Sequence, residues 1–124
     1  MKALIVDDSS FARRTLETFL KKNFPGMEIT LACNGRTGCA AFAREKPDII
    51  FTDLLMPEMV GQEMIKQIRA IDAHVPIFVL TADIQKVTKF ELAQYGIMAF
   101  INKPLNSENG ELIKQRIGVP INAE

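Results

Sequence analysis

Short apolar runs alternate along the chain with longer segments in which apolar residues recur every three or four positions. The short runs are typical of strands and the longer periodicity is typical of amphipathic helices. The pattern predicts five strands, at 2–6, 27–32, 49–52, 77–80 and 97–102. It also predicts five helices, at about 10–23, 36–44, 61–71, 83–95 and 107–117.

Local signals set the predicted helix ends. Ser9 or Ser10 is suited to cap the first helix, and Asp83 is suited to cap the fourth. Val60 stands before the third helix where a capping side chain is expected, so that helix has a weak start. The pair at 109–110, Asn-Gly, is expected to fray the start of the fifth helix.

The regular alternation of strands and helices predicts the fold class. Short connections between alternating strands and helices are typical of a parallel sheet with helices on both faces and right-handed crossovers. The fourth strand is entirely apolar and the third is apolar from 49 to 51, as buried strands are, whereas 28–31 alternates like an edge strand. We therefore predict an α/β protein with a doubly wound, five-stranded parallel sheet.

Length and charge narrow the choice of function. The 124 residues fit one domain, 1–124, and only seven residues follow the last predicted helix, so no output domain is expected. Lys and Arg together number 15, as do Asp and Glu, which argues against direct nucleic-acid or membrane-surface binding. No apolar run approaches the ~20 residues of a membrane span, and no signal peptide is seen, so we expect a cytoplasmic protein.

Several reactive or charged side chains have ordinary interpretations. Cys33 and Cys39 form no Cys-x-x-Cys motif, so we interpret them as small apolar residues in or beside a helix. His74 is in a loop that leads into the fourth strand, so it lies at the amino end of the sheet and is expected to be solvated. Arg13 and Lys21 are assigned to the exposed face of the first helix.

Polar side chains follow four of the predicted strands where each strand ends. Asp7 and Asp8 follow the first strand, Asp53 the third, Thr81 the fourth and Lys103 the fifth. The carboxyl ends of parallel strands meet at one edge of a sheet, where α/β proteins bind ligands. We therefore expect these five side chains to share one pocket.

The three acids in this pocket suggest a metal-assisted reaction. Carboxylates that lie close together repel unless a proton or a cation intervenes, and Mg²⁺ is suited to such oxygen ligands. Lys103 and Thr81 could hold phosphoryl oxygens, which leaves Asp53 as the nucleophile for phosphoryl transfer. The resulting acyl phosphate is labile to water, as a reversible switch requires.

The motifs together resemble those of the receiver domain of two-component response regulators, particularly the stand-alone chemotaxis-type regulators. The matching pieces are Asp7-Asp8-Ser9, 53–57 (Asp-Leu-Leu-Met-Pro), 81–83 (Thr-Ala-Asp) and the stretch from Gly96 to Lys103-Pro104. The resemblance covers essentially the whole chain. It implies a flavodoxin-like or CheY-like (βα)5 fold with strand order 2-1-3-4-5. It also implies transfer of a phosphoryl group to Asp53 from a phosphohistidine on a sensor histidine kinase or phosphotransfer protein.

The resemblance assigns the metal ligands and the phosphoryl contact. Asp8, Asp53 and the backbone carbonyl of Leu55 are expected to bind Mg²⁺ directly, and Asp7 to act through water. Lys103 is expected to pair with the phosphoryl group. The protein would then be a regulator rather than an enzyme, with intrinsic self-phosphorylation and autodephosphorylation chemistry.

The resemblance also implies a switch. Thr81 is expected to move towards the phosphoryl group, and the peptide bond before Pro104 is expected to be cis, as X-Pro bonds allow. Phe100 occupies the position where the family often has a switch Tyr, so it keeps the rotamer switch without the hydroxyl. Leu55 could shield the acyl phosphate while Asp83 could orient a water towards it, which leaves the lifetime of the phosphoryl group open.

Partners and rival functions complete the hypothesis. The family implies a downstream target protein that binds the face formed by the fourth helix, fifth strand and fifth helix, and either a monomer or a weak phosphorylation-dependent dimer. The chain is either a free-standing regulator, of the chemotaxis type or another single-domain type, or a receiver cut from a longer protein. A haloacid-dehalogenase-type phosphohydrolase would need an acid at Leu55, and a flavin or nucleotide carrier would need a Gly- or Thr-rich cradle in place of Asp7-Asp8. A pseudo-receiver that binds without phosphorylation is disfavoured because all five site residues are present.

Overall fold

The computed structural model describes residues 1–54, 56, 59–82 and 92–122, with side chains through residue 117. The strands are β1 (Lys2–Val6), β2 (Glu28–Ala32), β3 (Ile49–Thr52), β4 (Ile77–Thr81) and β5 (Ala99–Asn102). The helices with given bounds are α1 (Ser10–Asn23), α2 (Gly35–Glu45), α3 (Gly61–Ile71) and a C-terminal helix (Ser107–Asn122). The predicted fourth helix lies mostly outside the described residues, although residues 92 and 93 are helical.

All five strands form one parallel sheet in the order β2-β1-β3-β4-β5. The order confirms the predicted fold. β2 lies at the edge, as its alternating sequence predicted, and β3 lies at the centre between β1 and β4. Because every strand runs in the same direction, their carboxyl ends share one edge of the sheet.

The two faces of the sheet bury separate apolar clusters. On one face, Phe42 of α2 and Met64 of α3 pack against strand residues such as Ile50. On the other face, Leu20 of α1 and Ile113 of the C-terminal helix pack in the same way. Burial of each such side chain contributes roughly 1.5–3 kcal/mol, so the pattern that defined the helices also fixes them to the sheet.

Capping side chains decide where two of the helices begin. Ser9 is the cap of α1, and its hydroxyl accepts the Ala12 N–H at 3.2 Å. Asn34 caps α2 in a reciprocal arrangement with Thr37, so α2 begins at residue 35 rather than 36. α3 begins after Val60 without a side-chain cap, as predicted.

The predicted fraying of the C-terminal helix is wrong. The Asn106 side chain accepts the Asn109 N–H at 2.8 Å and thereby caps the helix. Gly110 is buried, and a Cβ atom there would lie 2.7 Å from the Phe19 ring of α1. The Asn-Gly pair therefore allows close packing of two helices, and the helix continues to Asn122 rather than ending near residue 117.

Other differences from the prediction are small. β2 begins at residue 28, because the Met27 N–H donates to the Phe24 carbonyl in a turn. β4 continues one residue further, to Thr81, and β5 begins at residue 99 rather than 97. Ile71 is 72% exposed although it follows the apolar spacing of α3. Among the described helices, none combines the length and apolar character needed to cross a membrane.

Candidate functional site

Backbone hydrogen bonds hold the first and third strand ends side by side beyond the strands themselves. The Asp7 N–H donates to the Ala32 carbonyl at 3.1 Å, and the Asp53 N–H donates to the Val6 carbonyl at 2.9 Å. The sheet thereby extends by one residue on both strands. Each added residue is an aspartate, so two carboxylates are carried to the same edge.

Asp7, Asp8 and Asp53 form the acidic cluster that the sequence predicted. One carboxylate oxygen from each lies within 4.8 Å of the other two. Asp7 and Asp53 are buried, whereas Asp8 is exposed. Three hard oxygen donors at this spacing fit a divalent cation such as Mg²⁺, and the exposed side leaves room for the water ligands that Mg²⁺ keeps. The predicted carbonyl ligand at Leu55 lies outside the described residues.

Lys103 lies between the two buried carboxylates. Its Nζ donates to Asp7 Oδ2 at 2.6 Å and to Asp53 Oδ2 at 3.2 Å. The Lys103 N–H donates to the Thr81 carbonyl at 2.7 Å, and the bond from Lys103 to Pro104 is cis, as predicted. The sequence did not predict that the shorter ammonium contact would be to Asp7 rather than Asp53.

Burial and charge shift the pKa values of the two central groups. Burial raises the pKa of Asp53, although the Lys103 ammonium and the Leu54 N–H oppose that change. Burial alone would lower the pKa of Lys103, but the hydrogen bond that its ammonium donates to Asp7 and the charges of Asp53 and Asp7 raise that pKa overall. Asp53 is thus a more basic carboxylate than usual, held beside an ammonium group that stays protonated.

Both Asp53 carboxylate oxygens have a defined donor. Oδ1 accepts the Leu54 N–H at 2.7 Å, and Oδ2 accepts the Lys103 ammonium. The backbone after Asp53 folds back, because the Gly61 N–H donates to the Leu54 carbonyl at 2.9 Å. A Cβ atom at Gly61 would overlap the Asp53 carbonyl oxygen, so only glycine permits this approach. The side chain of Asp53 is therefore oriented before any ligand binds.

Helix α2 also supports the segment that follows Asp53. The Gly35 N–H donates to the Met59 carbonyl at 3.1 Å, and a Cβ atom at Gly35 would overlap that carbonyl oxygen. Gly38, one turn later, faces the flexible Met64 sulfur instead. A backbone contact at the first position of α2 thus holds Met59, two residues before α3 begins.

Arg13 is a site residue that the sequence interpretation placed wrongly. The prediction assigned it to the exposed face of the first helix, but it is half-buried and its Nη1 donates to the Asp7 carbonyl at 2.6 Å. The Ser9 N–H donates to Asp7 Oδ1 at 2.9 Å. Because α1 starts immediately after Ser9, the long Arg13 side chain reaches back over the first turn. The cap at Ser9 was the only sequence signal for this geometry.

Thr81 and Phe100 occupy the last two strands of the sheet. Thr81 is buried at the end of β4, opposite Asn102 of β5. Phe100 is half-buried, pairs with Val79, and packs against the apolar cluster beneath α2 and α3. Their movement on phosphorylation stays a prediction.

The remaining candidates lie apart from the acidic cluster. His74 is exposed in the loop before β4, at the opposite end of the sheet, as predicted. Cys39 is half-buried against the core, in agreement with its apolar interpretation, whereas Cys33 is exposed. Among the described residues, no hydrogen bond or ion pair connects His74, Cys33 or Cys39 to the acidic cluster.

Comparison with known proteins identifies similar sequences over nearly the full chain. The model of the family described as "response regulator receiver domain" matches residues 3–115. The chain is 38% identical over 104 residues to the chemotaxis protein CheY of Thermotoga maritima, covering 83% of this chain and 85% of that protein. It is 35% identical over 115 residues to the regulatory protein AtoC of Escherichia coli, covering 93% of this chain but only 24% of AtoC.

A solved structure supports the same relationship. The chemotaxis response regulator CheY4 of Vibrio cholerae superposes with a TM-score of 0.81 at 31% sequence identity. The superposition covers 94% of this chain and 97% of CheY4. Sequence and fold therefore agree over the region that contains the acidic cluster and Lys103.

Proposed function

The chain belongs to the response regulator receiver domain family of two-component signalling, and from that premise we propose that Asp53 is its phosphoryl acceptor. A carboxylate oxygen of Asp53 attacks the phosphorus of a phosphohistidine. The P–N bond breaks, the imidazole leaves, and Asp53 carries an acyl phosphate. Hydrolysis of that acyl phosphate returns the free carboxylate, so the domain acts as a regulator that modifies and resets itself rather than as a turnover enzyme.

The position of Asp53 carries this proposal. It is buried at the end of the central strand, and separate donors hold its two oxygens. Hydrogen-bond donors that are already in place stabilise the negative charge that develops during phosphoryl transfer, and so lower the free-energy barrier to it. After transfer, Lys103 moves from the carboxylate oxygens to the phosphoryl oxygens, which carry more negative charge than the carboxylate did.

Asp7, Asp8 and Asp53 would hold Mg²⁺, with the Leu55 carbonyl as a further ligand and Asp7 acting through water. The bound ion would neutralise charge on the phosphoryl group and on the carboxylates around it. The donor chemistry of the cluster supports this assignment. The Lys103 ammonium also offsets charge on the same carboxylates, because it bridges Asp7 and Asp53.

The signal then passes to a partner. We propose that Thr81 closes on the phosphoryl group and that Phe100 changes rotamer behind it, altering the face near β5 and the C-terminal helix for a downstream target protein. A sensor histidine kinase or phosphotransfer protein supplies the phosphoryl group. Likeness to CheY proteins over most of their length supports a chemotaxis-type regulator.

Intact-mass spectrometry after incubation with acetyl phosphate and Mg²⁺ tests the proposal. We expect an adduct of about 80 Da, the mass of one phosphoryl group, in the parent protein and none in Asp53→Asn or with excess EDTA. Asp48→Asn is the matched control, because Asp48 is an exposed acid just before the same strand, at its opposite end. An unchanged adduct in Asp53→Asn, or no adduct in the parent, would contradict the assignment of Asp53.

A further inference from the structure

An apolar cavity of about 320 Å³ lies beside the acidic cluster, between α1 and the sheet. Its apolar walls include Ala12, Thr15 and Leu16 of α1, and Ile5, Phe51 and Leu80 of the sheet. An apolar cavity of about 150 Å³ suffices to bind benzene, so this cavity can accept a substituted ring.

One end of the cavity is polar and negatively charged. Asp7, Asp53 and Lys103 line it there, and the ammonium already donates to both carboxylates. Asp8 lies in the same cluster, and Arg13 contacts the Asp7 carbonyl. In the lining itself two carboxylates face one ammonium, so an excess of negative charge meets a ligand that enters.

We propose that this cavity binds a small aromatic cation, with the ring against the apolar walls and a protonated amine against the carboxylates of Asp7 and Asp53. The carboxylate oxygens retain lone pairs beyond those used by Lys103, so they can accept a second ammonium group. When no Mg²⁺ is bound, a carboxylate or phosphate ligand would instead meet repulsion from the same oxygens, which the single Lys103 ammonium offsets only in part. Charge complementarity thus selects a cation from among ring-sized apolar molecules.

The same carboxylates are assigned to Mg²⁺ above, and to that extent the inference rests on the proposed function. An amine seated against Asp7 and Asp53 excludes a dication from those oxygens. Binding of an amphipathic amine in the cavity would therefore prevent metal binding. Such a ligand would hold the domain in its unphosphorylated state.

The side chain of Phe11 is the rival occupant of the cavity. Phe11 lines the cavity, yet it is 76% exposed, which is unusual for a large apolar residue. If its ring turned inward in solution, it would fill the space that we assign to a ligand. NOEs between the Phe11 ring and the methyl groups of Leu16 and Leu80 in the free protein would overturn the proposal.

Methyl-labelled NMR titrations without phosphodonor test binding separately from phosphorylation. The probes are 2-phenylethylamine, 2-phenylethanol and 3-phenylpropionate, which share a ring but differ in charge. We expect saturable shifts at the Ile5, Leu16 and Leu80 methyls, with the amine binding at least about tenfold more tightly than the carboxylate. Added Mg²⁺ should weaken the binding of 2-phenylethylamine but not the binding of 2-phenylethanol. Equal binding of all three probes, or indifference of the amine to Mg²⁺, would overturn the charge assignment.

A cavity-filling variant locates the site. Ala12→Met places a larger side chain in the cavity wall and should weaken amine binding by at least about tenfold. Ala40→Met, at an exposed position of α2, is the matched control and should bind like the parent. If Ala12→Met does not fold, Thr15→Ile makes the same test. Unchanged binding in a folded cavity-filling variant would show that the amine binds elsewhere and would overturn the proposal.

Discussion

Two partly buried cations lie at opposite ends of the sheet and have different kinds of partner. At the carboxyl end, Lys103 donates to the side-chain carboxylates of Asp7 and Asp53. At the amino end, within the described part of the chain, the Arg69 guanidinium on α3 donates to backbone carbonyls. Those acceptors are Tyr95 at 2.6 Å, Val75 at 2.7 Å, Asp72 at 3.2 Å and Gly96 at 3.3 Å.

The difference separates a cation with structural contacts from one to which we assign a functional role. The carbonyls around Arg69 belong to the end of α3 and to the loops before β4 and β5. A guanidinium has enough N–H donors to hydrogen-bond several of these carbonyls at once. Under the proposed function, the carboxylates around Lys103 exchange its ammonium for a metal ion, and the ammonium moves to a phosphoryl group. Arg69 therefore stabilises the fold permanently, whereas Lys103 makes contacts that ligands can replace.

Removal of Arg69 should produce the larger loss of stability. Arg69→Met leaves several partly buried carbonyls without a donor, so we expect the free energy of unfolding in urea to fall by about 3 kcal/mol. The free energy of unfolding of Arg69→Lys should lie between those of the parent and Arg69→Met, because an ammonium lacks the planar fork of a guanidinium. Labelling of Asp53 per folded molecule should not change. A stability within about 0.5 kcal/mol of the parent would show that the carbonyls find water instead.

Removal of Lys103 should produce a smaller loss that depends on Mg²⁺. Lys103→Met leaves Asp7 and Asp53 close together without their shared cation, so we expect a loss of about 1–2 kcal/mol in EDTA. Mg²⁺ should restore that stability and stabilise the variant more than the parent, because the ammonium no longer competes for the oxygens. Labelling by acetyl phosphate should fall at least about tenfold.

Lys114→Met provides the control for this comparison. Lys114 is exposed on the C-terminal helix and pairs with Glu111 at 3.6 Å, a surface contact of little energetic value. We expect its stability and labelling to match the parent with and without Mg²⁺. Equal stabilisation of the parent and Lys103→Met by Mg²⁺ would contradict competition between the ammonium and the metal.

The smallest expected effect is a shift in the titration of Asp53. In metal-free protein, its ¹³C carboxyl resonance should titrate at a higher pH than an aspartate in a short peptide, because burial raises its pKa. The folded state then holds the proton more tightly than the unfolded chain. Ionisation of Asp53 therefore lowers folding stability as pH rises from the unfolded pKa to the folded one, and Asp53→Asn should lack this loss. A midpoint at or below the peptide value would contradict the buried environment.

Much of the fold could be predicted because its signals are local. Apolar runs defined β1 and β3 with the observed bounds, and the polar residue after each strand marked the functional edge. The contacts of Arg69 could not be predicted in the same way, since its acceptors are backbone carbonyls that any sequence supplies. The bridge from Lys103 to Asp7 also escaped prediction, because the resemblance assigned Lys103 to the phosphoryl group and gave it no carboxylate partner.

Chemical trapping of the modified residue tests the central claim most directly. Borohydride reduces an acyl phosphate of aspartate to homoserine, so the modified position can be read by peptide mass spectrometry. After incubation with acetyl phosphate and Mg²⁺, we predict homoserine at position 53 alone, and none when Mg²⁺ is chelated. Homoserine at Asp7 or Asp8, or its absence from position 53, would contradict the assignment of Asp53 as the phosphoryl acceptor.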